Sequence, residues 1–419
     1  QEIFWRIYWK GWLEHRPEIW TNYIRDLKII NFDKELYEKA VNAKTEGKYL
    51  TVGASLAGTK SNPNGFNLAL AGQVNMNSQT IDTLATVSDN STIVAGTLSL
   101  DAANHSHITA VSGAITAGGN LGIGAAISIN SLRGDTKALI EASRIQTTGD
   151  IDLEADKTMD ITAYTVAAGA TFDGGAIEAS ISVNDIEGDV SASVIDSNGL
   201  FAITSGGSVK LKAKDSSSVS AYGGGASGAS RKKDTTGNGG ASGGIAGALG
   251  FGISINTHSG TVSTRIVRSE IIATSAIEAK AEQSANMESI TIGFAAGYSN
   301  SDWALSGAGA VSVNSVQNNT YSEILENSVL RAGNNGLLID AKNTADIFSV
   351  SGAAALAVGS DGTSAQLGMS YARNEITNKT KALIKNATVT SQGPSSIKGD
   401  STGTIEGWAL GFAAGQAKS

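Results

Sequence analysis

The densest cluster of reactive side chains is a row of carboxylates at period two, Asp150, Asp152, Glu154 and Asp156, with Asp160 just beyond. A strand places such a row on one face. It could coordinate Ca²⁺ or supply the carboxylate pair that cleaves a sugar linkage. Alternation with Ile151, Leu153 and Ala155 explains the row more simply, as the solvated face of a half-buried strand. His105 and His107 point to one side of a strand, but a metal would need a third ligand, and the chain has no Cys. They read as a polar surface pair, and His258, alone, supports no site. Arg231-Lys232-Lys233-Asp234 opens a low-complexity insertion reaching Gly244. Acidic glycans or lipid headgroups could meet it there, although a soluble, flexible loop has the same composition. No nucleophile elbow, phosphate loop or dinucleotide fingerprint stands in a suitable context. The expectation is a protein without catalytic residues, cofactor or metal, and not an enzyme.

The elements that carry these residues follow from composition and repetition. The chain has 419 residues, with 50 Gly, three Pro and a formal charge of -8. That is too little Pro for disorder and too much Gly for a helical protein. Short strands and many tight turns suit it better. A mild, dispersed negative charge argues against a nucleic-acid surface. No apolar run is long enough to span a membrane as a helix. The chain also reads as an excised piece of something longer, lacking an initiator Met and a signal peptide.

Residues 1–50 differ from the rest, holding ten of the 24 aromatic residues. Phe4, Ile7, Tyr8 and Trp12 follow helical spacing, and Pro17 can open a second helix bearing Trp20, Tyr23, Ile24 and Leu27. Asp33 can cap a third, with Leu36, Ala40 and Val41, ended by Gly47. This predicts a small α-helical unit, with Trp5, Trp9, Trp12 and Trp20 as candidates to cap the region that follows. Docking to a partner and interfacial membrane insertion are the other two readings of the unit.

Residues 51–419 repeat. Met76-Asn77, Ile129-Asn130, Val183-Asn184, Ile255-Asn256, Val313-Asn314 and Arg373-Asn374 mark one recurring point, read as strand ends. Ten residues after each Asn stands a β-branched residue: Val87, Ile140, Val194, Ile266, Ile324 and Ile384. An alternating strand ending in a small residue comes next, as in Leu98-x-Leu100-x-Ala102 and Ile151-x-Leu153-x-Ala155. Copies in one register mean stacked units that cannot bury their sheets alone. The fold predicted is mainly β, a parallel β-solenoid of about six imperfect modules. Two or three coils of about 18–27 residues per module would make a rod of roughly 60–85 Å. Inward Ile, Val and Leu would form ladders, with the marker Asn on the turn side, where its amide could also ladder to the next Asn, although one module's spacing is long for direct contact. The Gly/Ala-rich stretches before each Asn, such as 351–358, imply either cover on both faces or a close approach of sheets.

The runs Gly124-Ala-Ala-Ile-Ser-Ile-Asn130, Ala138-x-Ile140-x-Ala142-Ser143 and Gly149-Asp-Ile-Asp-Leu-Glu-Ala155 resemble repeats of giant Gram-negative exoproteins. Fusobacterial leukotoxin and filamentous-haemagglutinin-like adhesins are the nearest comparisons, over residues 51–419. The resemblance implies a right-handed β-helix, secretion through the outer membrane and a place on the cell surface. The expected role is structural and adhesive, a stalk or filament segment. Its partners would be a host or microbial surface, glycan or protein, or neighbouring copies in a filament. The alternatives are a leukotoxin-like cytotoxin acting on host membranes and, behind it, a polysaccharide-active enzyme. Module length varies largely at a turn before each marker Asn, and insertions in repeats line one face. Arg231, Lys232, Lys233, Tyr298 and Trp303 are the candidate partner-binding residues of that edge.

Overall fold

The computed structural model describes residues 39–59, 66–231, 245–300, 303–360 and 363–417. The four candidate capping Trp, Lys232 and Lys233 lie outside them, as do the first two expected helices. The described chain winds as a parallel β-solenoid with three sheets. The long sheet has seven strands, among them Leu98–Gly118, Val209–Arg231 and Gly336–Gly359. The marker sheet carries the recurring Asn, first in pairs such as Leu121–Arg133 with Thr136–Glu141. Farther on it has single strands such as Ile245–Val267 and Trp303–Leu325. The short sheet has six strands, including Arg144–Thr147 and Glu270–Ala273.

Register corrects the expected coil size. Leu98 pairs with Ile151, Ile151 with Val209, and Leu337 with Ser395, so one module is one coil rather than two or three. The long strands run 21 to 24 residues from the second coil to the sixth, about four times the usual 5–6.

The expected third helix is also corrected. Residues 39–58 form the first long strand, Lys39–Gly58, in parallel register with Leu98–Gly118. Val41 and Ala43 enter the core while Lys44 and Glu46 pair outside at 2.8 Å. Period-two burial overrides the helical spacing at Ala40 and Val41, residues 33–38 of that expected helix lie outside the described residues, and the solenoid begins well before residue 51.

Each coil has two parts. The base is a three-sided prism in which Leu98, Leu100 and Ala102 face Ala138, Ile140 and Ile145, and the same positions stack through the coils as one core. These are the apolar ladders expected from the repeat. A positive-φ residue turns the marker sheet into the short sheet twelve positions after each marker Asn: Asp89, Ala142, Asp196, Arg268, Glu326 and Asn386. Buried serines brace that corner. The Ser143 amide donates to Ser197 Oγ at 3.3 Å, Ser197 to Ser269 at 3.1 Å and Ser269 to Ser328 at 3.3 Å.

The other part is a thin blade, where the end of each long strand folds against the start of the next marker strand. Ala114, Ala126 and Ala167 pack inside it, as do Ala248, Ala295 and Ala310 farther along. The two sheets nearly touch: a Cβ at Gly225 would lie 2.2 Å from the Phe251 carbonyl oxygen, and one at Gly293 2.2 Å from that of Gly309. Close sheet approach therefore explains the Gly/Ala-rich stretches. The apolar residues here point the other way from those of the base, because Ile129, Val183, Ile255 and Val313 face outward while the adjoining Asn face in.

Candidate functional surface

The marker asparagines sit within strands, not at turns or strand ends, and they touch. Asn77 Nδ2 donates to Asn130 Oδ1 at 2.7 Å, Asn130 to Asn184 at 2.8 Å, and Asn184 to Asn256 at 2.8 Å. Asn256 donates to Asn314 and Asn314 to Asn374, both at 2.7 Å. The second amide hydrogen of Asn130, Asn184, Asn256 and Asn314 goes to the Ser two residues earlier, at 3.0 Å each. Every inner amide donor is thus used, as a buried polar column requires. The column separates base from blade.

The carboxylate row takes the outer face of the base, as its alternation predicts. Register sets Asp152, Glu154 and Asp156 beside Lys210, Lys212 and Lys214 of the next coil. Lys212 Nζ lies 2.6 Å from Glu154, and Lys210 lies 3.3 Å from Asp150 and 3.6 Å from Asp152. Asp150 is held below the usual carboxylate range, chiefly by the Ser208 amide donating to it. Lysines occupy the face that a cation would need. Among the described residues no group of three or more acidic or His side chains is placed to hold a metal ion. His105 is exposed, and His107 Nε2 lies 2.7 Å from Thr109 Oγ1.

His258, which the sequence left without a partner, belongs to a buried ionic cluster. Lys157 Nζ lies 3.1 Å from Asp215 Oδ2 and donates to the Gly188 carbonyl at 2.5 Å. Ser217 donates to Asp215 Oδ1, and His258 Nε2 faces Asp215 Oδ2 at 3.7 Å. His258 Nδ1 lies 3.0 Å from Asn318 Oδ1. Burial lowers the His258 pKa against the pull of Asp215, keeping the ring neutral. The Lys157 and Asp215 side chains occupy two successive levels of an inward column, Asn104, Lys157, Asp215, Gln283 and Asn343, that crosses the base beside the Asn ladder. Sequence reasoning missed it because the lone Lys and Asp fall in different modules; only their shared register joins them. It is enclosed, so its chemistry is structural: a charge pair fixing the stacking of neighbouring coils.

The candidate edge residues fall along the tip of the blade, where long strands end and marker strands begin. Arg231 pairs with Ser299, Tyr298 with Ser230 and Val358, and Trp303 with Ile245 and Thr363. Tyr298, 43% exposed, points from the long-sheet face, and Trp303, 46% exposed, from the marker-sheet face. The edge is shared, but these two aromatics look in opposite directions. Module length also varies at a second place, around the 3₁₀ turn Gly199–Phe201 after the Asp196 corner.

The geometry therefore defines a class by fold, a wide-coiled parallel β-solenoid with a prismatic base and a thin blade. Nothing among protein-family models, curated proteins or solved structures matches this chain.

Proposed function

We propose that the chain is a structural and adhesive segment of a large bacterial exoprotein displayed outside the cell, akin to the leukotoxin and filamentous-haemagglutinin-like group. The observation that carries this reading is continuity: all three sheets and the Asn column pass from coil to coil in one register. Such a unit stacks onto its neighbours and presents repeated turns along one edge. Its role is non-catalytic display, with host or microbial glycans or proteins as partners at Arg231, Tyr298 and Trp303. Beads coated with the chain should bind cells. The variant with Arg231→Ser, Tyr298→Ala and Trp303→Ala should bind at least about fivefold less, since exposed aromatic and Arg anchors dominate such contacts. Equal binding by both proteins, or none by the parent, would count against the adhesive role.

A further inference from the structure

The blade inverts the polarity of the base. In the base, Leu98 and Leu100 point in while Ser99 and Asp101 point out. Past Ile108 the order flips: Ser112, Ala114 and Thr116 point in, Val111 and Ile115 point out. The facing marker strand matches, with Gly122, Gly124, Ala126 and Ser128 inside and Ile123, Ile127 and Ile129 outside. Apolar-out, polar-in alternation is the pattern of strands in lipid, the reverse of strands around a water-soluble core.

The outer faces are apolar through every described coil. On the long sheet, the register columns of Val111, Gly113, Ile115 and Ala117 hold no charged side chain, and their only polar side-chain atoms are the hydroxyls of Tyr164 and Tyr222 and the indole N–H of Trp408, all in the Val111 column beside the base. On the marker sheet, the outward columns of Leu121, Ile123, Ala125, Ile127 and Ile129 contain one charged residue, Arg373 in the last coil, while Glu178 in the Gly124 column points inward. The next outward columns bring Glu288 and Glu406 on one face, Asp185 and Glu375 on the other. The band is therefore bounded on the base side by charge. Nine residues from Leu121 to Ile129 span about 30 Å at about 3.3 Å each, the thickness of a bilayer's hydrocarbon core.

Aromatic side chains stand at both margins. Tyr164 and Tyr222 stack at 5.1 Å on the base side, where Trp408 and Tyr371 are also exposed. Phe172, Tyr298 and Trp303 are exposed at the tip. Amphipathic rings concentrate in such girdles where hydrocarbon meets headgroups. With strands about 4.8 Å apart, each face covers roughly 900 Å², more than monomeric proteins usually leave to water. The two faces lie back to back across the Ala core. A symmetric dimer would cover one and leave the other bare, whereas acyl chains cover both at once.

We propose that the blade is a lipid-inserting element whose two outer faces are covered by the acyl chains of a bilayer, with the charged base outside. The inference does not rest on the adhesive reading. Among the described residues, the end strands Lys39–Gly58 and Ser395–Ala417 each pair along one edge only, and copies of the chain meeting edge to edge in the bilayer would pair the other.

The chain contains no Cys, so single cysteines report cleanly. An environment-sensitive fluorophore would be placed at Ile127→Cys and Val166→Cys, on opposite faces of the blade, and at Lys212→Cys on the base. Vesicles of phosphatidylcholine alone carry no glycan or protein. They should float the full chain in a density gradient, blue-shift the label at both blade positions and expose it to quenchers carried on the acyl chains. The label on the base should not respond. Ile127→Lys with Ile181→Lys, both outward, should cut flotation at least about tenfold while the circular dichroism spectrum stays unchanged. The proposal is overturned if the chain fails to float. It is equally overturned if the blade labels shift without vesicles, as the chain sediments as a dimer or larger: the faces then meet other copies.

Discussion

At the scale of single residues, the Asn column is the feature whose removal should be felt most. Asn184 takes a hydrogen bond from Asn130 and gives others to Asn256 and Ser182. Asn184→Ala leaves the Asn130 donor and the Asn256 acceptor buried without partners, each costing about 1–3 kcal/mol. Denaturant unfolding should show a loss of about 2–5 kcal/mol, and Asn374→Ala, half-buried in the last marker strand, distinctly less. The positions of these residues were legible in the sequence because six asparagines share one register. Their contact was not. It depends on how many coils a module makes, and strands of more than 20 residues lie far outside ordinary lengths. The ionic cluster of Lys157, Asp215 and His258 was hidden for a related reason: each residue occurs once in its column, so no repeat announced it.

At the scale of elements, the reversal of polarity between base and blade separates what alternation can reveal from what it cannot. Period two identified strands from residue 51 onward, though not in 39–50, and the inward assignment of Ile140, Ile266 and Leu100 holds because three sheets enclose them. The same alternation in 121–129 left the direction open, since the pattern fixes only which residues share a face. The cue was the size of the partners: Gly122, Gly124 and Ala126 are too small to line a broad core, but they suit two sheets in near contact. Glu178 shows the same tightness, its carboxylate lying over Gly124 and Gly169 and taking a hydrogen bond from Thr116. Gly293→Ala should therefore cost about 1–3 kcal/mol, because its Cβ would meet the Gly309 carbonyl and overpacking forces the backbone apart. Gly352→Ala, where a Cβ meets nothing within 4 Å, should be neutral or slightly stabilising. Thermal melts of the two variants, made in one sheet, compare tight contact with open space directly.

At the scale of the whole molecule, one coil per module changes the shape. The expected rod of roughly 60–85 Å assumed narrow coils in a tall stack. With seven long strands about 4.8 Å apart, the described stack rises only about 30 Å, whereas a 23-residue strand runs about 75 Å. The stack is wider than it is tall, and the blade makes much of that width only two sheets thick. From Leu337 to its partner Ser395 the chain uses 58 residues for one step of about 4.8 Å, nearly three times what a 20-residue coil needs. A chain built this way gains reach slowly and surface quickly, which suits presenting broad faces better than extending a thin stalk. Small-angle scattering of the purified chain should show the inverse-square intensity decay of a flat particle, with a maximum dimension set by the coil's width. An intermediate region falling as the first power of angle, the mark of a rod, would mean that the modules coil more tightly in solution than their shared register allows.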